Sequence, residues 1–230
     1  MLERFFLLGE SPADLLVAQH DPWLLLLSVA VAVATSTLAL HLAGQARLTH
    51  EPVHRTMALA TSAVALGAGI WAMHFIGMLA FTLCVAVRYD VGITLLSMLP
   101  GLAASWVALN VLVRQQVTGR QLAMGGLLVG AGIGAMHYAG MEALRMAPDL
   151  RYDPAWFAAS IVVAVVLAVL ALWVRFTVHQ RSGMSNWQAT LLSGSIMGMA
   201  ISGMHYTAMA AARFVGQADP ELQPGRRRSR

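Results

Sequence analysis

The sequence predicts an all-α membrane protein, with six transmembrane helices arranged as three repeated helix pairs. Three observations carry this expectation. Of its 230 residues, 58% are hydrophobic and only 11% are charged, with a mean hydropathy of +0.65. A soluble domain is about 45–50% apolar and about 25% charged. Six apolar runs each reach the roughly 20 residues that a helix needs to cross a bilayer core of about 30 Å. Finally, one pattern recurs three times: "GAGIWAMHFIGM" from Gly67, "GAGIGAMHYAGM" from Gly130 and "GMAISGMHYTAM" from Gly198.

Residues 1–17 form an N-terminal tail. Their early acidic residues, with no sustained apolar region before a small-residue cleavage site, do not read as a secretory signal. The first span, Pro22–Leu42, opens within "HDPWLLLLS". The second, Met57–Phe81, carries the first copy of the recurring pattern. The third, Val91–Val113, opens within "RYDVGITLLS", and the fourth, Leu122–Leu144, carries the second copy. The fifth, Pro154–Phe176, opens within "RYDPAWFAAS", and the sixth, Trp187–Ala212, carries the third. Asp21, Asp90 and Asp153 are 69 and 63 residues apart; His74, His137 and His205 are 63 and 68 apart. Such periodicity signals internal duplication. The integral membrane domain is expected over 18–214, followed by a basic, disordered tail over 215–230.

Short connections make neighbouring helices antiparallel, so the three pattern-bearing helices run in one direction and their histidines share one depth. Arginines in short loops set orientation. Arg47, Arg55, Arg114, Arg120, Arg175 and Arg181 fall on one side, against Arg4, Arg88, Arg145 and Arg151 on the other. The first set is expected in the cytoplasm, which puts the histidines near the outer face of the membrane. The scattered arginines do not form a nucleic-acid-binding stripe. Cys84 is the only cysteine, which excludes an intramolecular disulfide. No nucleophile–base pair, phosphate loop or carboxylate dyad lies within the spans, so the chain reads as a binding protein and not an enzyme.

Taken singly, a histidine in hydrocarbon is most often packed and hydrogen-bonded. Three at one depth point to a functional role, at one shared site or at several separate ones, because an ionisable group inside a membrane is costly without a partner. Methionine precedes each histidine (Met73, Met136, Met204) and another follows four residues later (Met78, Met141, Met209). The i and i+4 positions share a helix face. Imidazole and thioether together favour a soft metal, copper(I) above all, with haem as a less favoured alternative because His and Met are both axial ligands. Tyr138 and Tyr206, next to two of the histidines, could present hydroxyls to the metal or its ligand. Asp21, Asp90 and Asp153 are helix N-caps by position, and could also orient the imidazoles through their second ring nitrogen. Two other readings remain open: copper transport or delivery, and a metal-free structural membrane subunit. Met124 and Met197 lie towards the inner parts of their spans, but no third residue completes a ring there.

The "MHF", "MHY" and "MHY" copies, with "HDPW" or "RYD" before the alternate spans, resemble the MHYT family of bacterial integral-membrane sensor domains over residues 18–214. The resemblance implies copper held near the outer face and the sensing of oxygen, carbon monoxide or nitric oxide. Matched by position, it implicates Met73 and His74; Met136, His137 and Tyr138; and Met204, His205 and Tyr206. Phe75 stands where the pattern has tyrosine, which removes one of three expected hydroxyls. Family members are often fused to cytoplasmic output domains that make or degrade cyclic di-GMP. Here 18 residues follow Ala212, so signalling is expected to pass to a separate partner protein.

Overall fold

Asp21, Asp90 and Asp153 each start a helix. In a computed structural model of the chain, Asp21 Oδ1 accepts from the backbone N–H of Trp23 and Leu24 at 2.8 and 3.1 Å. Asp90 Oδ1 accepts from Ile93 at 3.1 Å, and Asp153 Oδ1 from Ala155 and Trp156 at 3.0 and 3.1 Å. These bonds satisfy N–H groups that the first helical turn leaves free. The structure describes residues 5–7, 16, 19–49, 51–83, 85–114, 117–181 and 185–216. For Arg47 and residues 175–181 it describes the backbone only. Cys84, His50 and the tail beyond Gly216 lie outside the described residues.

Among the described residues seven helices follow in chain order: α1 (Pro22–Leu48), α2 (Pro52–Ala80), α3 (Val91–Leu96), α4 (Met98–Leu112), α5 (Gly119–Glu142), α6 (Pro154–Arg181) and α7 (Asn186–Met209). The third expected span is divided at Ser97 into α3 and α4. Pro100 explains the break, since it has no N–H to offer the carbonyl four residues earlier. Thr118 and Ser185 open α5 and α7 with capping boxes to Gln121 and Gln188. Among the described residues, five spans are long and apolar enough to cross a membrane: Pro22–Ala46, Pro52–Ala80, Val91–Leu112, Gly119–Glu142 and Pro154–Val174. The 24-residue α7 is not among them. Its composition explains this: Ser193, Gly194, Ser195, Gly198, Ser202 and Gly203 replace the aliphatic residues of the other helices. Its last turn also stops short of the expected Ala212, which lies in a strand instead.

Three short antiparallel ladders tie helix ends together. β1 (Gln19–His20) pairs with β2 (Phe81–Thr82), β3 (Arg88–Tyr89) with β4 (Leu144–Arg145), and β5 (Asp149–Tyr152) with β6 (Ala212–Val215). One backbone bond recurs beside each ladder. Asp21 N–H donates to Ala80 O, Asp90 to Ala143 O and Asp153 to Ala211 O, at 2.8, 2.8 and 2.9 Å. Each acceptor lies six residues after a motif histidine. Thus the start of α1 is fastened to the end of α2, α3 to α5, and α6 to α7, all at one end of the bundle. Phe6 of the N-terminal segment adds a bridge to Tyr152 there.

The long helices form a closed ring in the order α1, α2, α4, α5, α6, α7 and back to α1, while α2, α5 and α7 also meet at the centre. Small residues permit the close approach. A Cβ at Gly67 would fall within 3.0 Å of the Leu102 backbone on α4. One at Gly130 would meet Val165 of α6, and one at Gly198 would meet Val33 of α1, equally closely. Each partner lies 12 residues after the capping aspartate of its helix. The outward faces of the helices expose large apolar side chains such as Leu38, Val64, Leu99, Val162 and Met199.

Candidate metal centre

Each motif histidine lies one to two turns from the end of its helix, on the side facing the other two. His74, His137 and His205 are fully buried. Their ring centroids are 4.9, 5.0 and 5.2 Å apart and each pair meets edge to face. His74 Nδ1 is 3.1 Å from His205 Nδ1, which is 3.3 Å from His137 Nδ1. The Nε2 atoms point away from the centre. A Cβ on Gly140 would overlap His74 Nε2, and one on Gly77 would overlap His205 Nε2. Each of these imidazoles therefore reaches from its own helix into a notch left by a glycine on the next one. Ala208 holds the equivalent position on α7.

A neutral imidazole has one N–H and one acceptor nitrogen. All three Nε2 atoms are buried without a hydrogen-bond partner. With one proton per ring, no tautomer assignment satisfies all six nitrogens. A cation among the Nδ1 atoms would take up the lone pairs that converge there, with each ring's proton on its Nε2. Two nitrogens bound at about 2.0–2.1 Å to one ion, in trigonal or tetrahedral geometry, stand about 3.3–3.6 Å apart. The observed 3.1 and 3.3 Å are close to that spacing. The potential ligand atoms of the three histidines all lie within 4.8 Å of one another.

The methionines separate into two layers. Met73, Met136 and Met204 belong to the main bundle core. Met78, Met141 and Met209 belong to a second apolar cluster beside the ladders, with Tyr152, Ala211 and Phe214. The histidine layer lies between them in sequence along each helix.

The tyrosines differ from expectation. Tyr138 Oη lies 2.6 Å from Ser160 Oγ on α6, and Tyr206 Oη 2.7 Å from Ser28 Oγ on α1. Each serine already donates its hydroxyl to a carbonyl three residues back, Phe157 O at 2.8 Å and Leu25 O at 2.7 Å. A hydroxyl has one proton, so the tyrosines are the donors. Their hydroxyls clamp an inner helix to an outer one and are not aimed at the imidazoles. Phe75 has no such bond to give, and Ser97, at the position matching Ser28 and Ser160, donates to Thr94 O at 2.7 Å. These serines close the stretches "HDPWLLLLS", "RYDVGITLLS" and "RYDPAWFAAS", each seven residues after its aspartate.

The aspartates also act otherwise than as imidazole partners. Besides capping, Asp90 pairs with Arg145 at 3.2 Å and Asp153 with Arg213 at 3.6 Å. The carboxyl of Asp90 is held below its ordinary range, first by the Ile93 N–H and then by Arg145. Arg145 and Arg213 each lie eight residues after a histidine, where Thr82 stands in the first copy.

The family described as "MHYT: Bacterial signalling protein N terminal repeat" matches residues 13–55, 67–125, 130–187 and 198–223. The chain belongs to the MHYT family. It is a multi-pass helical membrane module of a kind found in bacterial signalling proteins. Over 202 residues, 87% of the chain, it is 42% identical to the bifunctional diguanylate cyclase/cyclic di-GMP phosphodiesterase MucR of Pseudomonas aeruginosa, covering 29% of that protein. It is 35% identical to the cyclic di-GMP phosphodiesterase NbdA of the same organism over 89% of the chain and 26% of NbdA. To the signaling protein YkoW of Bacillus subtilis it is 30% identical over 85% of the chain and 24% of YkoW. The MHYT chain thus spans about a quarter of the length of these relatives. No solved structure matches it.

Proposed function

We propose that this chain is a membrane sensor module that holds one copper(I) ion on His74, His137 and His205 and reports the binding of O2, CO or NO. The convergence of three buried Nδ1 atoms carries the reading. The donor set favours a monovalent soft ion. Three neutral imidazoles leave the charge of the ion uncompensated, and no carboxylate is among their described hydrogen-bond partners. A buried divalent cation would carry a larger unbalanced charge. Met73, Met136 and Met204 on one side, and Met78, Met141 and Met209 on the other, supply thioethers that suit copper(I). Haem fits less well, because the imidazole nitrogens approach one another too closely to admit a macrocycle between them.

The bound metal would supply an open coordination position for a diatomic ligand. The chain's own residues supply the transmission. His74 and His205 each seat against a glycine of a neighbouring inner helix, so a change in the nitrogen triangle moves α2, α5 and α7 against one another. Tyr138–Ser160 and Tyr206–Ser28 then carry the shift to α6 and α1. In this reading the bundle has six spans in three helix pairs, with α7 as a sixth span of low apolarity shielded by α1 and α6. The histidines lie near the periplasmic face of the inner membrane, and the arginine-bearing ends face the cytoplasm. The module binds a ligand and passes the signal on, and does not itself catalyse a reaction. The cyclase and phosphodiesterase activities named for the relatives belong, in this reading, to the remaining three quarters of those chains.

The test is infrared spectroscopy of the copper-loaded protein under CO. The expected result is a saturable C–O band that disappears in the His137→Ala variant. Copper-loaded protein with no gas-sensitive band for CO or NO would refute the gas-sensing assignment.

A further inference from the structure

Below the histidine layer the packing leaves a small, partly open apolar cavity. A cavity of about 30 Å³ lies among α2, α4, α5, α6 and α7. Ile70, Ile133 and Ile201 line it, each four residues before a motif histidine. At 1.5 Å per residue this is about 6 Å along the helix from the imidazoles. Met204, adjacent to His205, also lines it. The cavity exists because the facing helices contribute alanines there, among them Ala104 on α4 and Ala168 on α6. The lining includes one hydroxyl, Ser105, which donates to Gly101 O at 2.8 Å.

We infer that this cavity is a dry docking chamber that holds one small apolar gas molecule beside the histidine cluster. Its role in sensing rests on the proposed function; its ligand preference does not. The volume is large enough for one or two water-sized molecules. Water, however, needs two to four polar partners to be held in a cavity, and apolar cavities stay dry and take up xenon or small hydrocarbons. The aliphatic lining thus selects against water by polarity. The size selects against anything much larger than two heavy atoms. An uncharged diatomic gas dissolved in the membrane interior satisfies both conditions. Residence there would place it within a helical turn of the imidazoles without passage through the polar end of the bundle.

Xenon tests the chamber without reference to metal. Detergent-purified wild type, Ala168→Leu and Ile133→Ala proteins are titrated with xenon and followed by 129Xe NMR. The expected result is a saturable shift in wild type, its loss when leucine fills the cavity, and a stronger response when isoleucine is truncated. In copper-loaded protein, Ala168→Leu should change the rate of CO rebinding after flash photolysis several-fold at unchanged copper content. No saturable xenon in either wild type or Ile133→Ala would overturn the proposal, as would xenon binding that survives the filling variant. Altered xenon binding with unaltered CO rebinding would overturn the chamber's role in sensing. Failure of wild type to bind copper, with the xenon results intact, would instead sink the sensor reading and leave the chamber standing.

Discussion

Gly140→Ala perturbs the histidine cluster without touching a ligand. The new methyl would overlap His74 Nε2, whereas contacts between a Cβ and its neighbours are ordinarily 3.4 Å or longer. The imidazole must retreat by about 1 Å, and because the ring is rigid its Nδ1 moves too. Alanine gains about 1 kcal/mol of helix propensity over glycine. Overpacking costs about 1–3 kcal/mol. The expected net loss of stability is about 0–2 kcal/mol. Copper affinity should fall further, by about the 10–100-fold seen when groups that orient metal-bound histidines are altered. Gly134→Ala, on the same helix, is the control: its methyl would meet Ile161 Cδ1 at an ordinary 3.5 Å. That variant should keep its copper affinity and gain up to about 1 kcal/mol. Thermal unfolding in detergent and copper titration against a competing chelator read the two quantities. If Gly140→Ala behaves like Gly134→Ala in both, the imidazoles are not positioned by the glycine notch and the reasoning fails.

Other predictions follow from the same contacts. Tyr206→Phe and Tyr138→Phe should each cost about 0.5–1.5 kcal/mol through loss of a buried hydrogen bond. Copper content should be retained; loss of copper in both would return the hydroxyls to the metal site. A Tyr206→Phe/Ser28→Ala double-mutant cycle should show coupling of about 0.5 kcal/mol or more, and strict additivity would remove the clamp. Asp153→Ala should destabilise by about 0.5–2 kcal/mol as a lost N-cap with copper binding unchanged, whereas copper loss in a folded variant would make the carboxylate an imidazole partner. Because the folded state holds the Asp90 carboxyl below its ordinary 3.8, its stabilising contribution is present above that value and lost as pH falls further through the lowered one. Protection from hydrogen exchange at the β3–β4 end, taken relative to the intrinsic rate at each pH, should therefore fall below about pH 4 in wild type but not in Asp90→Asn, and identical profiles would contradict the assignment.

The histidine triad was legible because its surroundings recur in register: glycine seven before, isoleucine four before and methionine on both sides. What spacing could not reveal is that all three rings turn their Nδ1 atoms to one centre, since that depends on crossing geometry set by Gly67, Gly130 and Gly198 against the opposing backbones. The partners of the tyrosine hydroxyls follow from helix geometry. A hydroxyl next to a histidine in sequence lies about 100° round the helix from it, and here that direction faces the outer helices. Its partners were visible, for Ser28, Ser97 and Ser160 end the three matching stretches. Asp90 and Asp153 carried two signals, capping and charge; the arginines that answer the charge, Arg145 and Arg213, arrive through ladders of two to four residues, too short to leave a pattern. The low apolarity of α7 follows from its small and hydroxyl-bearing residues, which trade hydropathy for close packing.

Copper content, read together with coordination, tests the central claim most directly. Wild type and the His74→Ala/His137→Ala/His205→Ala variant would be loaded with copper(I), freed of excess and analysed by elemental analysis and X-ray absorption. The account predicts one copper per wild-type chain, with imidazole nitrogens at about 2.0 Å, and none retained by the folded variant. Folded wild type that retains no copper, or a variant that retains as much as wild type, would contradict it.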